Sequence, residues 1–242
     1  MANSYFRFKQ FTINQDRCAM KVTTDACLFG GLLSSMIRKQ GILKALDIGT
    51  GTGLLSLMLA QKHPDISVDA IELDEEAFKQ ASENVIGAPW VERINVIHAD
   101  ARDYNGGHQY DIILSNPPFY ENELKSEKQS KNIAHHSEEL SFTDLLNSIN
   151  QNLKTSGSFY LLLPYKRYTE IRNILSKNDL VLSKVILVKQ SLNHDFFRVI
   201  IEGRKKMDEM TEITLDEISI CDGQQQYTQE FISLLKDYYL YL

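Results

Sequence analysis

From residue 42 onward the chain alternates short apolar runs with stretches of helical spacing. Ile42–Ile48 reads as a strand, and Leu54–Gln61 as a buried helix that stops before Pro64. Ser67–Glu72 is a second strand. Asp74 then stands where an N-cap belongs, with Glu75 and Glu76 in a first turn whose dipole favours acids. Ala77, Phe78, Ala81 and Val85 repeat along one face of that helix. Ile94–His98 and Tyr110–Ser115 are the third and fourth strands. Phe142, Leu145, Leu146, Ile149 and Leu153 keep helical spacing, and Ser158–Leu163 follows Gly157, a turn residue, as a fifth strand. Tyr168, Ile171, Ile174 and Leu175 mark another helix. Leu180–Val188 and Phe196–Glu202, with Asn193-His194-Asp195 between them, predict an antiparallel pair. Tyr227–Leu242 predicts a closing helix with Phe231, Leu234, Leu235 and Tyr238 along one side.

Strands alternating with helices predict an α/β fold, a Rossmann-like, doubly wound sheet of seven mostly parallel strands with a C-terminal antiparallel hairpin. One domain over 1–242 is expected, with a core sheet over 42–206 and a C-terminal strand and helix over 207–242. Ligands in such sheets bind beyond the carboxyl ends of the strands, where the strand order reverses, so chemistry is sought at those ends.

Composition narrows the class. In 242 residues, 43% hydrophobic and 24% charged, neither disorder nor a fibrous repeat fits. No apolar run approaches the roughly 20 residues a bilayer demands, and the opening MANSYFRFKQFTI lacks a signal-peptide pattern. Cys18, Cys27 and Cys221 form no C-x-x-C pair, which points to a reducing compartment, and the expectation is a soluble cytoplasmic protein, monomeric, with no membrane and no metal. His135 and His136 are adjacent, but no third ligand accompanies them at useful spacing. The net charge of -6 hides segregation: residues 1–45 carry seven Lys/Arg against two acids, 46–159 eight against eighteen, 160–206 ten against four, and 207–242 one against eight. Such blocks suggest separate working surfaces or simply solvated faces of differing sign.

Ala45–Leu55 reads ALDIGTGTGLL, with Gly49, Gly51 and Gly53 closing a strand and opening a helix. Glycines there let the backbone turn tightly and a ligand approach the main chain. The third glycine of a dinucleotide fingerprint would fall at 54, which is Leu54. Glu72 ends the second strand 19 residues past Gly53, where a carboxylate suits a ribose diol. Asp100, at the end of the third strand, is placed to accept from an adenine amino group. ALDIGTGTGLL, AIELD and HAD resemble the cofactor motifs of class I S-adenosylmethionine methyltransferases. That resemblance implies that Asp47 meets the methionyl part of S-adenosyl-L-methionine and that Gly49 and Gly51 pack against it. It also implies that Glu72 holds the ribose, while Asp100 and the Ala101 amide read the adenine.

Asn116-Pro117-Pro118-Phe119 follows the fourth strand, beside that site. An exocyclic amino group on a purine is a poor nucleophile, because its lone pair is delocalised. The Asn116 side-chain oxygen and the Pro117 carbonyl together accept both of its N–H bonds and draw the nitrogen toward tetrahedral geometry. Proline aims that carbonyl by its locked φ, and Phe119 offers a face on which a base stacks. The tetrapeptide fits adenine N6, guanine N2 and a protein glutamine amide alike, and a stacked base would have to be flipped out.

With FRFKQFTINQDRCAMKVTTDACLFGG and the ending DGQQQYTQEFISLLKDYYLYL, the chain resembles the bacterial tRNA1(Val) adenine-N6-methyltransferase family along its whole length. The resemblance implies N6 methylation of adenine 37 in tRNA, with rRNA guanine N2 or a release-factor glutamine as the alternative acceptor. It further implies that Lys21, Thr23 and Asp25 line the methionine end of the cofactor, and that residues 1–41 cover cofactor and substrate. Arg7, Lys9, Arg17 and Lys21, interleaved with Tyr5, Phe6, Phe8 and Phe11, read either as an RNA surface or as aromatics packed on the core. Lys166, Arg167, Arg172, Arg198, Arg204, Lys205 and Lys206 offer a second phosphate-contacting surface.

Overall fold

A computed structural model describes residues 3–37, 41, 43–107, 109–117, 140–175, 178–207 and 212–242. The chain opens with a two-stranded antiparallel ribbon, β1 (Tyr5–Arg7) and β2 (Thr12–Asn14), followed by helix α1 (Thr24–Met36). The predicted alternation then unfolds as β3 (Leu43–Ile48), α2 (Leu54–Lys62), β4 (Ile66–Glu72), α3 (Glu75–Ile86), β5 (Ile94–His98) and β6 (Tyr110–Ser115). Beyond it come α4 (Phe142–Asn152), β7 (Leu153–Pro164), α5 (Tyr168–Leu175), β8 (Leu180–Ser191), β9 (Phe196–Lys205), β10 (Thr214–Cys221) and α6 (Gln229–Leu235).

The order across the sheet is β10-β8-β9-β7-β6-β3-β4-β5. Only β9 runs against its neighbours, and the other adjacent pairs are parallel. From β3 the chain builds outward through β4 and β5, then returns to lay β6 on the other side of β3. The strand order therefore reverses between β3 and β6, and the crevice beyond their carboxyl ends is where an open α/β sheet receives a ligand.

Successive strand residues point to opposite faces, and both faces are covered. Ala45, Val68, Ala70, Ile112 and Leu114 join the helices α1, α2 and α6 in one apolar cluster. Leu46, Ile48, Ile71, Ile113, Leu161 and Leu163 join α4 and α5 in another. Burial on both sides explains why β3 and β6 read as nearly continuous apolar runs. Close helix packing on the first face relies on small residues: a side chain at Gly31 would meet Leu235 Cδ2 at 2.9 Å and the Leu234 carbonyl at 3.1 Å.

Four details differ from the expectation. The sheet has eight strands instead of seven, because the C-terminal strand expected after 207 pairs in parallel with β8, from Thr214 beside Lys184 to Cys221 beside Ser191. Gly157 lies inside β7, which starts directly at Leu153: the register against β6 shifts from Tyr110 beside Leu153 to Ile112 beside Ser158, so the glycine sits in an irregular stretch of the strand, where a Cβ would meet Leu153 Cδ1 at 2.7 Å. Phe78 leaves the buried face of α3 and stacks on His98, while Gln80 and Asn84 take buried positions. The closing helix ends at Leu235, whose carbonyl accepts from the Tyr238 and Tyr239 amides in a tighter turn. That turn sends the Tyr238 hydroxyl inward to donate to Ser34 Oγ and the Met58 carbonyl, each at 3.1 Å.

The N-terminal aromatics are largely core. Phe8, Phe11 and Ile13 are buried, Phe8 stacks on Phe11 at 4.5 Å, and Tyr239 packs against Phe6 and Phe8. Tyr5 alone of this group is exposed. Among the described residues no helix is long and apolar enough to cross a membrane.

Candidate functional site

The tip of β3 carries the first chemistry. Asp47 has no solvent exposure and lies on the face of the sheet that α2 covers. Its Oδ2 accepts from Thr50 Oγ1 and Ser56 Oγ, both at 2.7 Å, so one carboxylate oxygen binds the glycine loop and the first turns of α2 to the strand. Its Oδ1 is buried without any hydrogen-bond partner. A buried acceptor without a partner is costly, so this oxygen is suited to a donor from outside the chain. Burial pushes the Asp47 carboxyl up to about 6, against the lowering effect of the two hydroxyls.

The loop after β3 is built for close approach. Gly49, Gly51 and Gly53 have φ of 69°, 57° and 80°, a region that penalises every side chain. At Gly49 and Gly51 a Cβ would meet nothing within 4 Å, so both backbones face open space. Glu72, at the end of β4, folds back over this loop. Its Oε2 accepts from the Gly51 amide at 2.8 Å, and its Oε1 from the Leu73 and Asp74 amides at 3.0 Å.

β5 runs beside β4, and the Ala99 amide donates to the Glu72 carbonyl at 3.0 Å, so Asp100 arrives one residue further along the same edge. Arg102 clamps it: Nε lies 2.8 Å from Oδ2 and 3.0 Å from Oδ1, and the Arg102 amide donates to Oδ1 at 2.8 Å. Hydrogen bonds from Arg102 hold the Asp100 carboxyl below the usual range. The next residue, Ala101, is nearly buried. At the tip of β6, Ser115 Oγ donates to the Ile48 carbonyl at 2.7 Å, which pins the two central strand ends together. Asn116, half-buried, and Pro117, buried, therefore emerge across from Gly49. Phe119, His135 and His136 lie outside the described residues.

The segment before α1 is strapped across α3 by buried amides. Asn84 Oδ1 accepts from the Asn14 amide at 2.8 Å, and its Nδ2 donates to both the Asn14 and Thr52 carbonyls at 2.9 Å. One side chain thus ties the N-terminal ribbon to the glycine loop. Gln80 Oε1 accepts from the Arg17 amide, and Gln15 Oε1 from the Val22 amide, each at 2.8 Å. Within the strap, burial first, and then the nearby Glu72 and Asp74 carboxylates, push the Cys18 thiol up to about 11. Thr23 is the N-cap of α1, its hydroxyl accepting from the Ala26 amide at 3.4 Å. Asp25 accepts from Arg198 Nε at 2.7 Å, and Lys21 Nζ donates to the Asn3 carbonyl at 3.3 Å.

The strand ends thus bring Asp47, Gly49, Gly51, Glu72, Asp100, Ala101 and Asn116 to one edge. Lys21, Thr23 and Asp25 sit in the strap and the first turn of α1, each with a partner from the chain itself. Pattern reading missed Gln80, Asn84, Ser56 and Arg102. Ser56 carried a signal, being the one polar residue inside LLSLMLA. Of the cations assigned to RNA, Arg17 pairs with Glu83 and Arg167 is buried against Glu170 at 3.0 Å, so neither is a free phosphate contact.

The Methyltransferase small domain family matches residues 30–176. A protein of Dyadobacter fermentans named tRNA1(Val) (adenine(37)-N6)-methyltransferase is 48% identical over 162 residues, 67% of this chain and 66% of that protein. A protein of Cytophaga hutchinsonii with the same name is 38% identical over 245 residues, 100% of both chains. Among solved structures, a predicted O-methyltransferase of Agrobacterium tumefaciens superposes with a TM-score of 0.67 at 17% identity, covering 86% of this chain and 95% of the other. The last likeness shows a shared fold.

Two predictions follow from the buried groups. Because folding raises the Asp47 pKa, the stability that its proton contributes is fully present below the ordinary value of 3.8 and is lost as pH rises through about 6. Relative to Asp47→Asn, the ligand-free protein should therefore lose on the order of 2–3 kcal/mol between pH 3.8 and pH 7 in urea titrations, whereas parallel pH profiles would contradict the buried carboxyl. Asn84→Ala should destabilise the fold by about 1–3 kcal/mol and speed hydrogen exchange at the Asn14 amide. Unchanged exchange there would show that the strap is held by something else.

Proposed function

Since the chain belongs to the Methyltransferase small domain family and to the tRNA1(Val) (adenine(37)-N6)-methyltransferase family, we propose that it transfers a methyl group from S-adenosylmethionine to the exocyclic N6 of adenine 37 in that tRNA. The observation that carries the reading is the pinning of β6 to β3 by Ser115, which sets Asn116 and Pro117 across from an open glycine cradle. S-adenosylmethionine supplies, when bound, an electrophilic methyl group on a sulfonium.

The residues present suit that donor. Asp47 Oδ1, buried and unpartnered, is matched to a cationic amine such as the one on the methionyl group. The open faces of Gly49 and Gly51 admit the ligand against the main chain. Glu72 takes the ribose hydroxyls with the lone pairs its three amide donors leave free. Asp100 and the Ala101 amide read the adenine, with Arg102 keeping the Asp100 carboxylate ionised. Lys21, Thr23 and Asp25 close the methionine end from the strap side, although each must share or exchange its present partner.

At the acceptor, Asn116 and the Pro117 carbonyl take the two N–H bonds of the adenine amino group, and Phe119 stacks on the ring. With both hydrogens drawn aside, the nitrogen lone pair is directed at the methyl carbon. There the N–C bond would form as the S–C bond breaks, the S–C bonding pair staying on sulfur as a neutral thioether, and the methylated nitrogen would release one of its two protons to solvent. Neither acceptor is basic at neutral pH, so the rate comes from alignment and from dipoles fixed before reaction, not from a strong base.

Asn116→Ala should lower the rate of methyl transfer to tRNA by roughly a hundredfold or more, the usual cost of losing one fixed dipole at a reacting centre. Calorimetric affinity for S-adenosylmethionine should stay within a few-fold of the parent. Undiminished turnover would take Asn116 out of its assigned role.

A further inference from the structure

Beside the tip of β6, the rim of the sheet carries aromatic rings that the transfer chemistry does not use. Ser115 is level with Leu161 of β7, and Pro164 with Arg198 of β9. Asn116 and Pro117 follow Ser115 and so are level with Leu162 and Leu163; Tyr165, the residue after Pro164, therefore stands one strand over, about 4.8 Å laterally, and roughly 7–10 Å further along the carboxyl edge. β9 runs the other way, so its first residues lie at the same edge. There the ladder breaks: Val188 pairs with Arg198 but Lys189 with Phe196, leaving Phe197 as a bulge. Bulges re-aim side chains and are frequent beside functional sites.

Phe196 and Phe197, successive residues, point to opposite faces of the sheet. Phe196 meets Tyr165 with centroids 5.3 Å apart and borders the α4–α5 cluster, whereas Phe197 borders the cluster of α1. A cation covers each: Lys189 Nζ lies 4.6 Å from the Phe196 centroid, and the Arg198 guanidinium 5.3 Å from that of Phe197. Arg198 is also held by Asp25, so the second pair is fixed to the first turn of α1, where the strap ends. Lys189 has Glu217 at 3.9 Å, a loose ion pair. Tyr165 is 36% exposed, Phe196 and Phe197 are half-buried, and Leu192, in the turn joining β8 and β9, is 59% exposed.

Rings that only filled the core would be covered. These are held at the edge with cations across them, in the segment 160–206 whose ten Lys/Arg outnumber four acids. Aromatic faces that accept any base, interleaved with positive charge, are how proteins hold unpaired nucleotides. A reaction at adenine N6 inside a loop adds the need: the target must leave its stack, and its neighbours lose a stacking partner.

We propose that Tyr165 and Phe196, with Lys189, form a platform for the unpaired nucleotides that flank the target adenine. The bases lie on these two rings and a phosphate meets Lys189, whose pairing with Glu217 is loose. This rests on the tRNA reading above.

The test uses the full-length protein and a fluorescent anticodon stem-loop RNA. Tyr165→Ala and Phe196→Ala should each weaken equilibrium RNA binding, and raise KM for RNA, about tenfold. Both should leave kcat and the cofactor KM near the parent values. Tyr165→Phe and Phe196→Trp should restore binding, since the face and not the hydroxyl is used. Lys189→Gln should lower the slope of log Kd against log salt by about one. Unchanged RNA affinity in both alanine variants, with cofactor affinity intact, would overturn the platform even if the parent enzyme methylates tRNA. A parent that binds RNA with these dependences but transfers no methyl would leave the platform standing and remove the proposed activity. Should an alanine variant lose cofactor binding as well, the aromatic replacements and the salt slope decide: a Phe196→Trp protein that binds no better than Phe196→Ala, or an unaltered slope, counts against the platform.

Discussion

Asp47 is fully buried beneath the first turns of α2, and what its two oxygens do sets up much of the site. One oxygen gathers the Thr50 and Ser56 hydroxyls, which fixes the glycine loop against the strand it leaves and the helix it enters. The other oxygen has no partner. An arrangement that satisfied both would be more stable, because a buried unpaired acceptor costs on the order of 1–3 kcal/mol. The fold carries that cost at the point where a cationic group can remove it. The raised pKa expresses the same tension, since burial disfavours a charge that a bound cation would favour.

The remaining contacts transmit this arrangement outward. Glu72 secures the loop from the β4 side, and Ser115 secures the tip of β6 from the other. Asn84 binds the Thr52 carbonyl and the Asn14 peptide together, so the N-terminal strap cannot shift without disturbing the loop. A sheet that reverses its strand order between β3 and β6 provides the crevice, but such crevices are common to many functions. In the proposed function, what suits this one to a planar nitrogen is the Asn116-Pro117 pair placed across from the cradle.

Much of this was legible in the residues. The strands whose apolar runs are nearly continuous, β3 and β6, emerge where the pattern put them, because burial on both faces leaves no other choice. The carboxylates were visible because each stands at, or within two residues of, the end of a strand. Periodicity failed where polar groups do the packing: Gln80 and Asn84 look like the wet side of α3, yet they are buried because the strap supplies peptide groups for them to bind. It placed the start of β7 too late, because the irregular stretch that holds Gly157 lies inside the strand and makes room there for Leu153. The insertion of β9 between β7 and β8, and the bulge at Phe197, are long-range pairings on which local sequence is silent. Charge was the weakest guide. Arg17 and Arg167 belonged to basic stretches, but Glu83 and Glu170 take them up, and no one-dimensional count distinguishes a cation facing RNA from one facing a carboxylate.

The account stands or falls on which atom is methylated. Incubating the protein and isotopically labelled S-adenosylmethionine with unmodified tRNA1(Val), ribosomal RNA and release factor, then locating the label by mass spectrometry, reads that atom directly. The predicted result is label in tRNA alone, as N6-methyladenosine at position 37. Label confined to guanine N2 of ribosomal RNA, or to a glutamine of the release factor, would contradict it.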